Sequence, residues 1–183
     1  MANRRPLTDT MVDDQQRLAA VRGTGLLDVP NEERFDRLTR LACRLLRVPI
    51  ALVSLMDADR QFYVSAQGLS EPWAGLREAP LSHSFCRSVV TTGVPLAVSN
   101  APVDPRLRSN PAIQDFGIVA YLAVPLALPD GAIVGALCVV DRRPRNWEAT
   151  EQEALTDLAG AVIAEIAAGL RHQELEAAGN KSY

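Results

Sequence analysis

The spacing of apolar positions predicts helices at both ends of the chain. In residues 11–47 apolar side chains recur at helical intervals, and this region is predicted to end before Pro49. Helical spacing returns in residues 147–177, which are predicted to form one long C-terminal helix. Residues 1–10 are polar and are predicted to be a flexible arm, with residues 178–183 as a short tail.

Between the helical regions the apolar runs are short and rich in β-branched residues, which indicates strands. The predicted strands cover residues 50–56, 62–66, 95–98, 118–128 and 132–140. Tight turns at Asp57–Arg60 and Pro129–Gly131 indicate two hairpins. Residues 68–80 are predicted to be a loop, 84–92 a short helix, and 99–117 a polar connection with one or two helical turns. Hairpins separated by helices predict an α+β domain with a mostly antiparallel sheet.

Size and composition are those of a globular domain. The chain has 183 residues, of which 48% are hydrophobic and 22% charged, so residues 11–177 are expected to be a single domain. The net charge of −3 argues against nonspecific nucleic-acid binding, and no apolar run reaches the roughly 18 residues of a membrane span. Because the first residues lack a signal-peptide core, we expect a cytoplasmic protein without a membrane or nucleic-acid partner.

Cysteines and histidines are few and dispersed. Cys43, Cys86 and Cys138 form no CxxC pair, and with His83 and His172 they show no spacing typical of a metal site. No metal or cofactor is therefore expected. Cys43 and Cys138 fall on predicted core elements, where free cysteine behaves as a small hydrophobe.

Several short strings resemble the GAF family and occur in the order seen in that family. They are Phe35-Asp36-Arg37-Leu38, Val48 to Asp57, Asp59-Arg60-Gln61-Phe62, Ser84-Phe85-Cys86, Asp104-Pro105-Arg106, Ala123-Val124-Pro125-Leu126, and Gly135 to Asp141. The resemblance is to GAF domains of bacterial signalling proteins. It implies a PAS-related antiparallel sheet of five to six strands in the order 2-1-5-4-3. One face would carry the terminal helices, and the other a small-molecule pocket under a layer of helix and loop.

The resemblance also implies which residues would line the pocket. They are Phe62, Val64, Ser84, Phe85, Cys86, Val98, Asp104, Tyr121 and Ala123. Ser84, Asp104 and Tyr121 would supply the few polar groups that a mostly apolar pocket needs. The alternative is that the same side chains fill the space and that no ligand binds.

The sequence allows two interpretations of the role of Cys86. It lies where a loop is predicted to enter a helix, and unpaired backbone N–H groups there can bind an anion or lower a thiol pKa. The simpler reading is a small buried side chain, with Ser84 as the helix cap. A dithiol cycle would need a second thiol whose Cα lies within about 7 Å.

The leading functional prediction is a non-catalytic sensory or regulatory domain that acts on a signalling partner such as a kinase or a cyclase. One alternative is an enzyme resembling the free methionine-(R)-sulfoxide reductases and using Cys86. Another is a tetrapyrrole sensor that binds a bilin, or a haem through His83. Bilin-binding members usually have histidine directly after the pigment cysteine, whereas Arg87 follows Cys86 here. The Asn-Lys-Phe-Asp-Glu motif of cyclic-nucleotide-binding members is absent.

The C-terminal helix carries a leucine-rich stripe at near-heptad spacing, formed by Leu155, Leu158, Val162, Ile166 and Leu170. The predicted length of about 30 residues exceeds what packing on one small sheet requires. We therefore expect the stripe to serve both the sheet and a helix of a second copy, giving a homodimer. The alternatives are a monomer with a solvated outer face and a purely structural dimerisation module without a ligand.

Overall fold

The computed structural model describes residues 14–179, so the predicted arm at 1–10 and residues 180–183 of the predicted tail lie outside the described residues. Six strands form one antiparallel sheet. They are β1 (Ile50–Met56), β2 (Arg60–Gln67), β3 (Glu78–Pro80), β4 (Leu96–Val98), β5 (Ala120–Ala127) and β6 (Ile133–Asp141). Their order is β3-β2-β1-β6-β5-β4. This confirms the prediction of an α+β domain. Without β3, the order of the other five strands is the implied 2-1-5-4-3.

The edge strand β3 adds to that order, and it falls in a region predicted to be a loop. Its three residues pair with Arg60–Phe62 of β2. A run this short has no readable alternation, and Pro80 cannot donate to a ladder, which is why the sequence pattern did not reveal it. Its position at the edge of the sheet is where proline is tolerated.

Helices cover both faces of the sheet. They are α1 (Gln15–Gly23), α2 (Glu33–Leu46), α3 (Trp73–Leu76), α4 (Cys86–Thr92), α5 (Ala112–Asp115) and α6 (Ala149–Gly179). Short 3-10 turns occupy Leu81–His83 and Ala101–Val103. The long helices α2 and α6 pack against one face of the sheet, and α4 with the short elements packs against the other.

Local signals explain where the terminal helices begin and end. The Asp14 carboxylate accepts from the backbone N–H of Arg17 at 2.8 Å and caps α1. Helix α2 ends at Arg47, which adopts a left-handed conformation at φ 52, before Pro49 as predicted. At the start of α6, the Glu151 carboxylate accepts from the backbone N–H of Glu148 at 3.0 Å. No helix within residues 14–179 combines the length and apolar character that crossing a membrane requires.

Alternation along the strands divides the buried side chains into two cores. The helix-side core lies between the sheet and helices α2 and α6, and it includes Val53, Leu122, Leu137 and Val139. The α4-side core lies on the opposite face, and it includes Leu52, Tyr121, Ala136 and Cys138. Because neighbouring residues of a strand point to opposite faces, each central strand contributes directly to both cores.

A β-bulge interrupts this alternation in β2. Val53 pairs with Ser65 whereas the next residue, Ser54, pairs with Tyr63, so Val64 has no partner opposite it on β1. As a result Val64 and Ser65 both face α2, and the Ser65 hydroxyl lies 2.8 Å from the Thr39 hydroxyl. Tyr63 belongs to the α4-side core.

The stripe predicted to serve a second copy is used within the single chain. Leu155, Leu158, Val162 and Ile166 are buried in the helix-side core, none of them more than 8% exposed, and Leu170 is partly buried beside them. Arg37 of α2 also forms an ion pair with Glu165 of α6 at 2.6 Å. One face of a helix cannot contact the sheet and a second helix with the same side chains, so the prediction that this stripe serves both partners is corrected.

Candidate functional site

Four side chains surround the thiol of Cys86 on the α4 side of the sheet. Tyr121 Oη lies 2.8 Å from Cys86 Sγ, and Gln61 Nε2 donates to the same sulfur at 3.2 Å. Ser54 Oγ lies 3.7 Å from that sulfur and accepts from Gln61 Nε2 at 2.9 Å. Cys138 lies in the same core and is near enough to influence the pKa of Cys86. We call Cys86 and these four residues the Cys86 cluster.

The sheet register brings the Cys86 cluster together from five different elements. Cys138 lies on β6, directly between its cross-strand partners on β1 and β5. Ser54 and Tyr121 are each two residues away from those partners along β1 and β5, so they point to the same face. Gln61 lies at the start of β2, and Cys86 is the first residue of α4. All five side chains are buried.

The environment shifts the two thiols of the cluster in opposite directions. The interaction with Cys138, together with hydrogen bonds from the other three members, lowers the pKa of Cys86 from 9.0 to about 7, although burial opposes the change. The interaction with Cys86 and burial raise the pKa of Cys138 well above 9.0. Burial also raises the pKa of Tyr121 well above 10.0. Cys86 is therefore the group that ionises first, and Cys138 and Tyr121 keep their protons for hydrogen bonding.

Five of the nine residues predicted to line a pocket lie together in the α4-side core. These are Phe85, Cys86, Val98, Tyr121 and Ala123. None of them is more than 4% exposed, and the rings of Phe85 and Tyr121 pack edge to face with centroids 5.2 Å apart. These side chains occupy the space between α4 and the sheet where the resemblance implies a chamber.

Two predicted pocket residues lie on the opposite face of the sheet. Phe62 and Val64 belong to the helix-side core, beneath α2, and are separated from Phe85 by the sheet itself. The intervening residue, Tyr63, faces α4 instead. The prediction for Phe62 and Val64 is corrected, because the alternation of β2 was assigned to the wrong face.

The remaining predicted polar groups serve local backbone structure. The Ser84 hydroxyl accepts from the backbone N–H of Arg87 at 3.2 Å, as a side chain that caps the start of a helix does. Asp104 accepts from the backbone N–H of Arg106 at 2.9 Å and forms an ion pair with its guanidinium at 2.7 Å. Hydrogen bonding to Arg106 lowers the pKa of Asp104 to about 2. Asp104 thus stabilises its own turn.

His83 takes part in a separate contact network above the α4-side core. Its Nδ1 lies 3.0 Å from the Ser82 hydroxyl and its Nε2 lies 2.9 Å from an Asp115 carboxylate oxygen. The imidazole also packs near Trp73 and Phe116, with ring centroids 5.6 Å and 6.0 Å away. Both ring nitrogens already have hydrogen-bond partners, so axial ligation of a haem by His83 would require both the ring packing and these bonds to rearrange.

Two surface grooves lie away from the Cys86 cluster. One has a volume of about 340 Å³ and is lined by Asp14, Gln16, Arg17, Val90, Asp130, Gly131, Ala132 and Ile133. The other has a volume of about 560 Å³ and is lined by Glu32, Arg34, Ala168, Gly169, His172 and Gln173. Within residues 14–179, no group of three or more His, Cys, Asp or Glu side chains is arranged to hold a metal ion.

Three members of the Cys86 cluster were missed by sequence reasoning. Ser54 gave a readable signal, because it is the one hydroxyl within the apolar run of β1. Gln61 follows a turn and is indistinguishable from a solvated strand residue. The proximity of Cys138 to Cys86 depends on the sheet register and on where α4 packs, and neither is encoded in the local pattern.

The sequence profile of the GAF domain family matches residues 30–166. The chain is 35% identical over 156 residues to a cyclic di-GMP phosphodiesterase of Pseudomonas aeruginosa, covering 84% of this chain and 26% of that protein. It is 33% identical over 51 residues to the diguanylate cyclase DgcP of Escherichia coli K12, covering 28% of this chain and 15% of that protein. The chain therefore spans about a quarter or less of these relatives.

A solved structure shares the fold. The GAF domain of a phosphoenolpyruvate-protein phosphotransferase from Acinetobacter superposes with a TM-score of 0.61 at 17% identity, covering 83% of this chain and 91% of that domain. The sheet, the helix arrangement and the family profile define a sensory and regulatory class of domain. This chain belongs to the GAF domain family.

Proposed function

We propose that this chain is a non-catalytic regulatory GAF domain that controls a signalling output concerned with cyclic di-GMP. Two relatives support the nature of the output, since one degrades and the other synthesises this nucleotide according to their names. The observation that carries the regulatory role is that the Cys86 cluster and the long helix α6 pack against opposite faces of the same strands.

Strand β6 provides the most direct connection between the two faces. Cys138 faces the Cys86 cluster, and its neighbours Leu137 and Val139 are fully buried on the side of α2 and α6. Strand β5 repeats this arrangement, with Tyr121 on one face and Leu122 on the other. A closely packed core transmits such displacements because it has few voids to absorb them. A shift of α4 would therefore move the surface on which α6 lies.

Helix α6 is suited to carry the shift onward. Its 31 residues span about 46 Å, at 1.5 Å per residue, which is longer than any strand of the sheet. The helix is anchored through Leu155, Val162 and Ile166, whereas Leu175 near its end is 72% exposed. The C-terminal part of the helix is thus available to an output element or partner.

The proposed relay predicts that a change on the α4 side alters the dynamics of α6. Ala123→Val enlarges a fully buried side chain of the α4-side core, and Cys86→Ala provides a second, smaller perturbation. Hydrogen–deuterium exchange of amides 155–170 is expected to increase in both variants. Leu76→Ala, at an exposed position, is the control. Faster exchange confined to α4 and β4 would refute the relay.

Catalysis and ligand binding are tested separately. Cys86 is only 2% exposed, which favours a non-catalytic role over a reductase that must admit free methionine sulfoxide. Turnover of free methionine-(R)-sulfoxide that disappears in Cys86→Ser would overturn that proposal. Native mass spectrometry of the purified chain tests for a retained small molecule, and a visible absorption spectrum tests for a tetrapyrrole.

A further inference from the structure

A serine, a histidine and an aspartate are joined by hydrogen bonds outside the Cys86 cluster. Ser82 and His83 lie in the 3-10 turn Leu81–His83, and Asp115 is the last residue of α5. The Ser82 hydroxyl lies 3.0 Å from Nδ1 of His83, and Nε2 of the same ring lies 2.9 Å from an Asp115 carboxylate oxygen. Ser82 is exposed, whereas the His83 side chain is only 14% exposed. We call these three residues the Ser82 triad.

The carboxylate of Asp115 sets the tautomer of His83. An ionised carboxylate only accepts hydrogen bonds, so the Nε2 atom that faces it carries the proton. The neutral ring then has its lone pair on Nδ1, where it accepts from the Ser82 hydroxyl. A nucleophile bonded to a base, with the base oriented by a third group, is the arrangement that activates serine for acyl transfer. The two ring nitrogens have exchanged the places they hold in serine proteases, and either nitrogen of an imidazole can act as the base.

We propose that Ser82 is a site of covalent acylation by a small, uncharged, activated ester. Ser82 Oγ attacks the carbonyl carbon of the ester and forms a C–O bond, while the hydroxyl proton passes to Nδ1 of His83. The bond from the carbonyl carbon to the leaving oxygen then breaks, and the departing alcohol takes the proton from His83. Each event consumes one ester and releases one alcohol, so the reaction modifies the chain once and is not a turnover.

The surroundings of the Ser82 triad favour an uncharged and apolar acyl donor. The ring centroids of Trp73 and Phe116 lie 5.6 Å and 6.0 Å from that of His83, and Trp73 is only partly buried. These rings offer an apolar surface to a short acyl chain or an aromatic leaving group. The Asp115 side chain is 44% exposed and would repel a phosphate or carboxylate on the donor. A neutral ester therefore fits this site better than an acyl phosphate.

Acylation of Ser82 would act on the turn that leads into α4. Two residues later the Ser84 hydroxyl accepts from the backbone N–H of Arg87, and Cys86 is the first residue of that helix. An acylated serine has no hydroxyl proton to donate to Nδ1 of His83, so the modification would remove a contact that holds the imidazole. The reaction needs neither a relay through α6 nor an output partner. Its test is therefore independent of the proposed regulatory function.

Peptide mapping of the native chain treated with p-nitrophenyl acetate tests the proposal directly. Cleavage after arginine gives peptide 78–87, which contains Ser82 together with Cys86. We expect one acetyl group on Ser82, located by fragmentation, that persists in neutral hydroxylamine, whereas acetyl on a thiol or an imidazole is removed. Ser88, an exposed serine that begins the next peptide, is the internal reference. Its acetylation should be at least about 100-fold slower, because general base catalysis contributes that much.

Two substitutions separate activation of the serine from its exposure. His83→Gln removes the base and should reduce acetylation of Ser82 to the rate of Ser88, and Asp115→Asn should give a rate between that value and the wild-type rate. Asp59→Asn, at another exposed aspartate, is the matched control and should leave the rate unchanged. Wild-type acetylation confined to the imidazole or the thiol, equal rates at Ser82 and Ser88, or an unchanged rate in His83→Gln would overturn the proposal. The wild-type ratio of the two serine rates decides the matter even if a variant does not fold.

Discussion

The hydroxyl of Tyr121 lies 2.8 Å from the sulfur of Cys86, and both groups are buried between α4 and the sheet. A phenol that keeps its proton donates to the thiolate more strongly than to the thiol, so it favours ionisation of Cys86. Tyr121→Phe is therefore expected to raise the pKa of Cys86 from about 7 toward 9.0. Thiolate absorbance as a function of pH, in a Cys43→Ser background, measures the change. Tyr63→Phe is the matched control, and an equal shift in both variants would contradict the assignment.

The lowered pKa of Cys86 links stability to pH. Since the folded pKa is about 7 and the unfolded value is 9.0, the folded chain releases this proton first, and stability rises as pH increases between those values. The expected gain is about 1–2 kcal/mol. Above pH 9 the trend reverses, because the unfolded chain also ionises Cys138, whose folded pKa is raised. Urea unfolding across this pH range measures the effect, and a profile unchanged in Cys86→Ser would contradict it.

The hydroxyl of Ser65 connects the bulged strand β2 to helix α2. It donates to an Asp36 carboxylate oxygen at 2.6 Å and lies 2.8 Å from the Thr39 hydroxyl. Ser65→Ala removes both contacts at a buried position and should destabilise the fold by about 1–3 kcal/mol. Thr156→Ala, which removes an exposed hydroxyl on α6, should change the unfolding free energy by less than about 0.5 kcal/mol. Equal effects in urea titrations would refute the role of Ser65.

Gly135 allows β1 and β6 to approach each other. A Cβ at this position would overlap the backbone carbonyl of Ser54, which cannot move without breaking the sheet. Gly135→Ala is expected to destabilise the protein by roughly 3 kcal/mol or to prevent folding. Gly160 lies on α6, and a Cβ added there would meet open space. Gly160→Ala should therefore stabilise the helix by about 0.5–1 kcal/mol. Thermal unfolding of both variants provides the comparison.

Dimerisation through the terminal helices remains a prediction. Because the stripe of α6 is buried within the chain, we now predict that the dimer surface lies on exposed residues of α2. Leu41 and Leu45 lie one turn apart on α2, on the same side as Arg34 and Arg37, which contact α6, and they are 47% and 54% exposed. Leu45→Glu should convert a dimer to a monomer of 19.8 kDa in light scattering. Leu76→Glu, at a similarly exposed leucine on α3, should not. A wild-type monomer at micromolar concentration would exclude the dimer.

The predicted fold was confirmed because its signals are local. The apolar run of β1 and the helical period of α2 each act over a few residues, and the structure reproduces both elements within a few positions. The site was only partly predictable, because it depends on which strands become neighbours. For this reason the prediction for Phe62 named the wrong face of the sheet. Cys138 was predicted to lie in the core, but not to lie near Cys86. Residues far apart in sequence meet only once the register is set.

The ring cluster of Trp73, His83 and Phe116 joins two segments that connect strands of the sheet. Trp73 and His83 come from the segment between β2 and β4, and Phe116 comes from the segment between β4 and β5. The ring centroids of Trp73 and Phe116 lie 4.9 Å apart, and His83 Nε2 lies 2.9 Å from an Asp115 carboxylate oxygen. These contacts tie the two segments together, so displacing either one would break its contacts with the other.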